Sequence, residues 1–168
     1  MTSFKFIREQ EFNVSTSDLW NFISSPHNLS KITPPELNFR VINVSNQNPI
    51  SAGQEIKYKL SPVLGINLIW VSKITSLKKG EYFVDEQEQG PYAFWKHEHI
   101  IEPSDKGTLM RDIVTYKPPF GVLGRLMNSI FIKNKLRQIF DFRAQTFNTI
   151  FSGQEYKKYK PHPGMYII

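Results

Sequence analysis

Between Phe39 and Tyr116 the chain breaks into short runs with strand character, separated by turn residues, and no other feature constrains its fold as tightly. The runs fall at roughly 39–45, 54–60, 67–77, 81–89, 94–103 and 108–117. Asn48-Pro49, Ala52-Gly53, Lys79-Gly80, Gly90-Pro91 and Lys106-Gly107 punctuate them. Connections this short join antiparallel neighbours, because parallel strands need long crossovers. A seventh strand precedes these six: Phe4, Phe6, Phe12 and Val14 share one parity, with polar Arg8 and Gln10 in the middle. A curved antiparallel sheet of seven strands is therefore expected.

After the first strand the period changes. Ser15 is placed as an N-cap with Asp18 three residues on, and Leu19, Trp20, Phe22 and Ile23 follow at helical spacing. Ser25-Pro26 ends that helix, and Pro26 opens a second short one carrying Leu29 and Ile32, stopped at Pro34-Pro35. Beyond Pro118-Pro119-Phe120-Gly121 a long C-terminal helix is expected to about Phe151. Leu123, Met127 and Ile130 share one direction on it, whereas Leu136, Ile139, Phe140, Phe147 and Ile150 cluster on the opposite one. One straight helix cannot bury both against one sheet, so a kink or break is expected near 131–134. The fold class is α+β: seven strands, two short helices after the first, and a long terminal helix.

With 168 residues, 40% of them hydrophobic, the chain suits one core, expected over 1–151. Residues 152–168 read as an irregular tail. Its apolar end, Met165-Tyr166-Ile167-Ile168, is expected to pack on the domain or, as a homodimer contact, on a second subunit. Cysteine is absent, which excludes disulfides, thiolate metal sites and a cysteine nucleophile. No signal-like or membrane-spanning apolar run is present, so a cytoplasmic protein without stable membrane insertion is expected. The net charge of +6 carries no nucleic-acid motif with it and reads as a solvated basic face. Arg125 and Arg143 are placed on that surface by residue type, the alternative being that they turn inward to meet an anionic ligand head.

Strand parity assigns faces. On 94–103, Lys96, Glu98 and Glu102 belong outside, so Trp95, His97, His99 and Ile101 point inward. On 108–117, Met110, Asp112, Val114 and Tyr116 oppose the outward Arg111 and Lys117. On 81–89 the pattern alone fits either face, and the need to partner His97 and His99 favours Asp85 and Gln87. This inward cluster admits three readings. The histidines can be structural, hydrogen-bonded to Asp85 and Asp112. The group can orient the polar head of a ligand. Or His97, His99 and a carboxylate can act in acid/base or metal chemistry. Nothing else marks a metal site, and neither a phosphate loop nor a dinucleotide fingerprint occurs, so no metal and no cofactor is expected. Tyr58, Trp70, Trp95 and Tyr116 are candidate cavity walls, with Leu123, Met127 and Ile130 as candidate lids from the helix.

Three stretches carry a resemblance: Phe83-Val84-Asp85-Glu86-Gln87; Gly90-Pro91-Tyr92 followed by Trp95-Lys96-His97-Glu98-His99; and Met110-Arg111-Asp112-Ile113-Val114-Thr115-Tyr116 leading into Pro119-Phe120-Gly121-Val122-Leu123-Gly124. With the element order, they resemble a bacterial ligand-binding branch of the START-like, or SRPBCC, superfamily, some of whose members are named as polyketide cyclase/dehydrase-like. The resemblance implies a helix-grip fold whose sheet and terminal helix enclose a cavity for a lipid-, polyketide- or aromatic-metabolite-like molecule. It implies no single reaction. Binding a small hydrophobic or amphipathic molecule is the leading expectation. The rivals are an aromatase/cyclase- or dehydratase-type enzyme using His97 or His99 with Asp85 or Asp112, and an interaction module using the basic helix and apolar tail.

Overall fold

The computed structural model describes residues 3–44, 49–61 and 66–152. Within them run β1 (Phe4–Phe12), α1 (Thr16–Ile23), a 3-10 helix (Pro26–Ile32), a 3-10 turn (Pro35–Leu37), β2 (Arg40–Val44), β3 (Glu55–Leu60), β4 (Leu68–Lys78), β5 (Tyr82–Gln89), β6 (Phe94–Ser104), β7 (Gly107–Lys117), α2 (Gly121–Met127), a π-helical turn (Asn128–Ile132) and α3 (Lys133–Ser152). Each strand lies within a residue or two of its expected position. The exceptions to the sequence reading are that β1 stops at Phe12, short of Val14, and that Pro34-Pro35 opens one further 3-10 turn.

All seven strands form one antiparallel sheet in the order β1-β7-β6-β5-β4-β3-β2. Six strands are a meander, and β1 closes onto β7, pairing Phe4 with Tyr116 and Phe12 with Thr108. Curvature has local causes. Two register shifts between β4 and β5 insert bulges, one with Glu88 as the extra residue on β5 and one with Thr75 as the extra residue on β4, and such bulges bend and twist a sheet. The β6–β7 turn passes so near β1 that a Cβ on Gly107 would sit 2.6 Å from the Phe12 carbonyl oxygen, and its φ of +124° also calls for glycine.

Helix α1 starts where the sequence places it, with the Ser15 hydroxyl accepting from the Asp18 backbone N–H at 3.1 Å. It buries Leu19 and Trp20. The polar middle of β1 also has a physical role. Arg8 pairs with Asp141 at 2.9 Å, and the Gln10 amide donates to the Ala144 carbonyl and to Asn148 Oδ1, so this edge strand holds α3 by polar contacts.

On α3, Leu136, Phe140, Arg143 and Phe147 are buried at spacings of four, three and four, one continuous helical stripe facing the sheet. The break expected near 131–134 is realised at Asn128–Ile132, where a π turn adds a residue and rotates the helix surface by about 100°. Upstream of it α2 is not buried. Leu123 is 60% and Met127 45% exposed, so their apolar direction faces solvent in place of a packed core.

Candidate functional site

The concave face of the sheet, α1, the first 3-10 helix and α3 enclose a cavity of about 440 Å³, within the usual size range for small-molecule sites. One side is aromatic. Trp70 meets Trp95 edge-on at 5.2 Å between ring centroids, Tyr92 lies 4.9 Å from Trp95, and Tyr58 packs on Phe39 at 5.0 Å. Ile66, Met127 and Phe131 both line the cavity and stand exposed, so they mark where it meets solvent.

Next to these aromatics the lining turns polar, with Trp95 6.4 Å from His97 between ring centroids, and the strand register builds this polar part. His99 on β6 lies opposite Asp112 on β7, while His97 lies opposite Asp85 on β5. His97 Nε2 is 2.9 Å from Asp112 Oδ1, and His99 Nε2 is 3.2 Å from Asp85 Oδ2. His99 Nδ1 lies 3.0 Å from Asp112 Oδ1 but off the line of a hydrogen bond, leaving an electrostatic contact. Asp85 also accepts from the Ser72 hydroxyl, which in turn accepts from the Trp70 indole N–H, both at 3.1 Å. From α3, Arg143 Nη1 approaches Asp112 Oδ1 to 3.8 Å.

This packing sets the protonation states. Burial would raise both carboxyls, but hydrogen bonds and charge from the histidines outweigh it and hold Asp85 and Asp112 below the usual carboxylate range. Burial, reinforced by the charge of His99, pulls His97 down to about 4. Burial opposes a charge on His99 too, yet Asp112 and Asp85 together raise it above its ordinary value. Two carboxylates thus face the Arg143 guanidinium and favour the protonated form of His99, beside a His97 held neutral. An ionised Asp112 can only accept, so His97 donates from Nε2 and turns its basic Nδ1 away from that carboxylate. One donor atom each from Asp85, His97 and His99 lie within 4.8 Å of one another, a spacing that fits a cation, although the His99–Asp85 hydrogen bond now closes it.

No family model matches the sequence, and no curated protein matches it. Solved structures do. Protein Ms6760 from Mycobacterium smegmatis superposes with a TM-score of 0.67 at 13% identity, covering 89% of this chain and 92% of that one. Ginseng major latex-like protein 151 from Panax ginseng gives 0.65 at 10% identity, covering 89% and 97%. The di-domain ARO/CYC StfQ from the steffimycin biosynthetic pathway gives 0.69 at 12% identity, covering 90% of this chain and 51% of that longer one. The chain has the START-like helix-grip fold. In helix-grip terms, the cavity is the space between the sheet and the gripped helix α3.

Of the residues singled out from sequence, Tyr58, Trp70, Asp85, Trp95, His97, His99 and Met127 line that space. Asp112 lies directly behind the histidines. Gln87 instead closes the β5–β6 loop, donating to the Tyr92 carbonyl at 2.8 Å and accepting from the Tyr92 N–H at 3.3 Å. Tyr116 supports the helix, its hydroxyl donating to Asn128 Oδ1 at 2.7 Å. Leu123 points to solvent and forms no part of the wall. The side chain of Ile130 and the tail from 153 onward lie outside the described residues. Arg143 corrects the surface assignment: it is 8% exposed and lines the cavity. Its place in the 136/140/143/147 stripe was the available signal, overridden by the habit of arginine to face water. Tyr92 was also missed as a wall residue. No helix among the described residues is long and apolar enough to cross a membrane.

Proposed function

We propose that the chain binds a small amphipathic molecule, its apolar body against Tyr58, Trp70, Tyr92 and Trp95 and its polar head toward Asp85, His97, His99 and Arg143. One observation carries this reading: a cavity of about 440 Å³ whose lining is aromatic and aliphatic on one side and charged at one end. A core-filling role would leave no such space, since interiors pack to crystal density. The polar end makes an amphipathic occupant a better fit than a wholly apolar one, because a hydrocarbon head would strand buried donors and acceptors. Gln87 and Tyr116 act from outside the wall, by fixing Tyr92 and the π turn. The test is native mass spectrometry of the protein purified from cells, paired with Trp70→Ala. A co-purifying small molecule lost in the variant is expected, whereas an empty protein that also takes up no apolar fluorescent probe overturns the proposal.

A second reading has its own observation. His97, oriented by Asp112, presents a neutral imidazole nitrogen beside His99, whose protonated form the two carboxylates favour, the kind of pairing a proton-shuttling cyclase or dehydratase needs. The similarity in fold to the di-domain ARO/CYC StfQ supports it. Turnover of a polyketide-like substrate that survives His97→Gln and His99→Gln unchanged rules it out.

A further inference from the structure

The binding cavity holds a buried cation whose donors are unspent. Arg143 sits in the middle of the apolar stripe of α3, 8% exposed, with its guanidinium carbon 4.9 Å from the Phe140 ring centroid. Its guanidinium makes no hydrogen bond to a described residue, and its buried Nε has no partner. The nearest carboxylate oxygen, Asp112 Oδ1, is 3.8 Å away, beyond hydrogen-bond reach, and already faces both His97 and His99. Asp85 is likewise engaged, by Ser72 and His99. A buried charged donor left in this state is costly, and native structures almost always satisfy it.

We propose that Arg143 is the anchor for an acidic head on the ligand, and that the ligand class is the amphipathic monocarboxylic acids. The inference rests on the cavity being a ligand site. The planar fork of Arg143 matches the two oxygens of a carboxylate, and its place over the Phe140 ring, 4.9 Å from the centroid, gives the guanidinium a cation–π support. One negative charge suits the site better than two. Asp112 lies 3.8 Å from Arg143 and Asp85 lines the same cavity, so a phosphate dianion would meet two nearby carboxylates. Lys135, which also lines the cavity, adds attraction for an anion.

The test compares acids with alcohols of the same body, by calorimetry on the full chain: decanoate against decanol, and naphthylacetate against naphthylethanol. Each acid is expected to bind about tenfold to a hundredfold more tightly than its alcohol, the worth of a buried charge-assisted hydrogen bond. Arg143→Met, which keeps an apolar stem, is expected to bring that ratio to about one while alcohol binding persists. Arg143→Lys, which keeps the charge without the fork, serves if the methionine variant does not fold, and is expected to cut the ratio by about threefold or more. Alcohols that bind wild type as tightly as the acids overturn the acid assignment and leave the cavity reading intact. So does a ratio unchanged in both variants, or decyl phosphate outcompeting decanoate. Failure of all four probes to bind overturns both readings.

Discussion

Helices α2 and α3 are nearly continuous in the chain, yet the sheet treats them differently. Along α3 the stripe Leu136, Phe140, Arg143 and Phe147 is buried, and β1 clamps its outer side through Arg8 and Gln10. Along α2, Val122, Leu123, Leu126 and Met127 are as apolar as that stripe and stand in solvent. The π turn between them, pinned by Tyr116 to Asn128, is where the grip ends. Hydrophobicity alone therefore does not decide burial; an opposing surface must also be in reach. Here that surface is the concave sheet, with the cavity lying between it and α3 and only Met127 and Gly124 of α2 reaching its rim.

The comparison can be broken first at Phe147, which is 1% exposed and packs edge-on against Phe12 and Phe22. Phe147→Ala is expected to cost about 3–5 kcal/mol in urea unfolding, and a cost under about 1 kcal/mol would show that α3 is not gripped as described. Next in size is the acid limb of stability. Unfolded His97 takes a proton near 6.5 while the folded protein resists until about 4, so the unfolded state binds more protons in this window and stability falls with pH. His99, its folded value raised, adds little slope once the pH is well below 6.5, and the depressed carboxyls add a loss of their own from about pH 5 downward. Between pH 7 and pH 4 a loss of about 3 kcal/mol from this group is expected, and His97→Gln should flatten it; an unchanged slope would place His97 in water. Tyr116→Phe should cost about 1 kcal/mol and speed amide exchange in the π turn, whereas an unaltered exchange rate there would remove Tyr116 as its anchor. The smallest effect belongs to α2: Leu126→Ala should stay within about 0.5 kcal/mol of wild type, and a larger loss would mean that α2 is covered in solution.

The polar end of the site was legible from sequence because its neighbours fixed the phase. Outward Lys96, Glu98 and Arg111 left His97, His99 and Asp112 no face but the inner one, and those histidines then selected the parity of β5. Gln87 was assigned to that same partnership, but its side chain is drawn to the loop at Tyr92, a destination that depends on how the turn folds back. Arg143 was misplaced because a charge inside an apolar stripe is intelligible only once a cavity beside it is known. Leu123 and Met127 were expected as lids because an apolar stripe implies a partner, and the described structure offers Leu123 none.

By itself the sequence determined the number of strands, their antiparallel connectivity and which side chains share a face. Those properties follow from local period and from connections too short for anything else. The tertiary structure decided that β1 closes onto β7, where the bulges between β4 and β5 fall, and how far the grip on the terminal helix extends. Each of these depends on segments brought together from opposite ends of the chain, and no local pattern records the distance left between them. The cavity, and the buried guanidinium facing into it, exist only as that remaining distance.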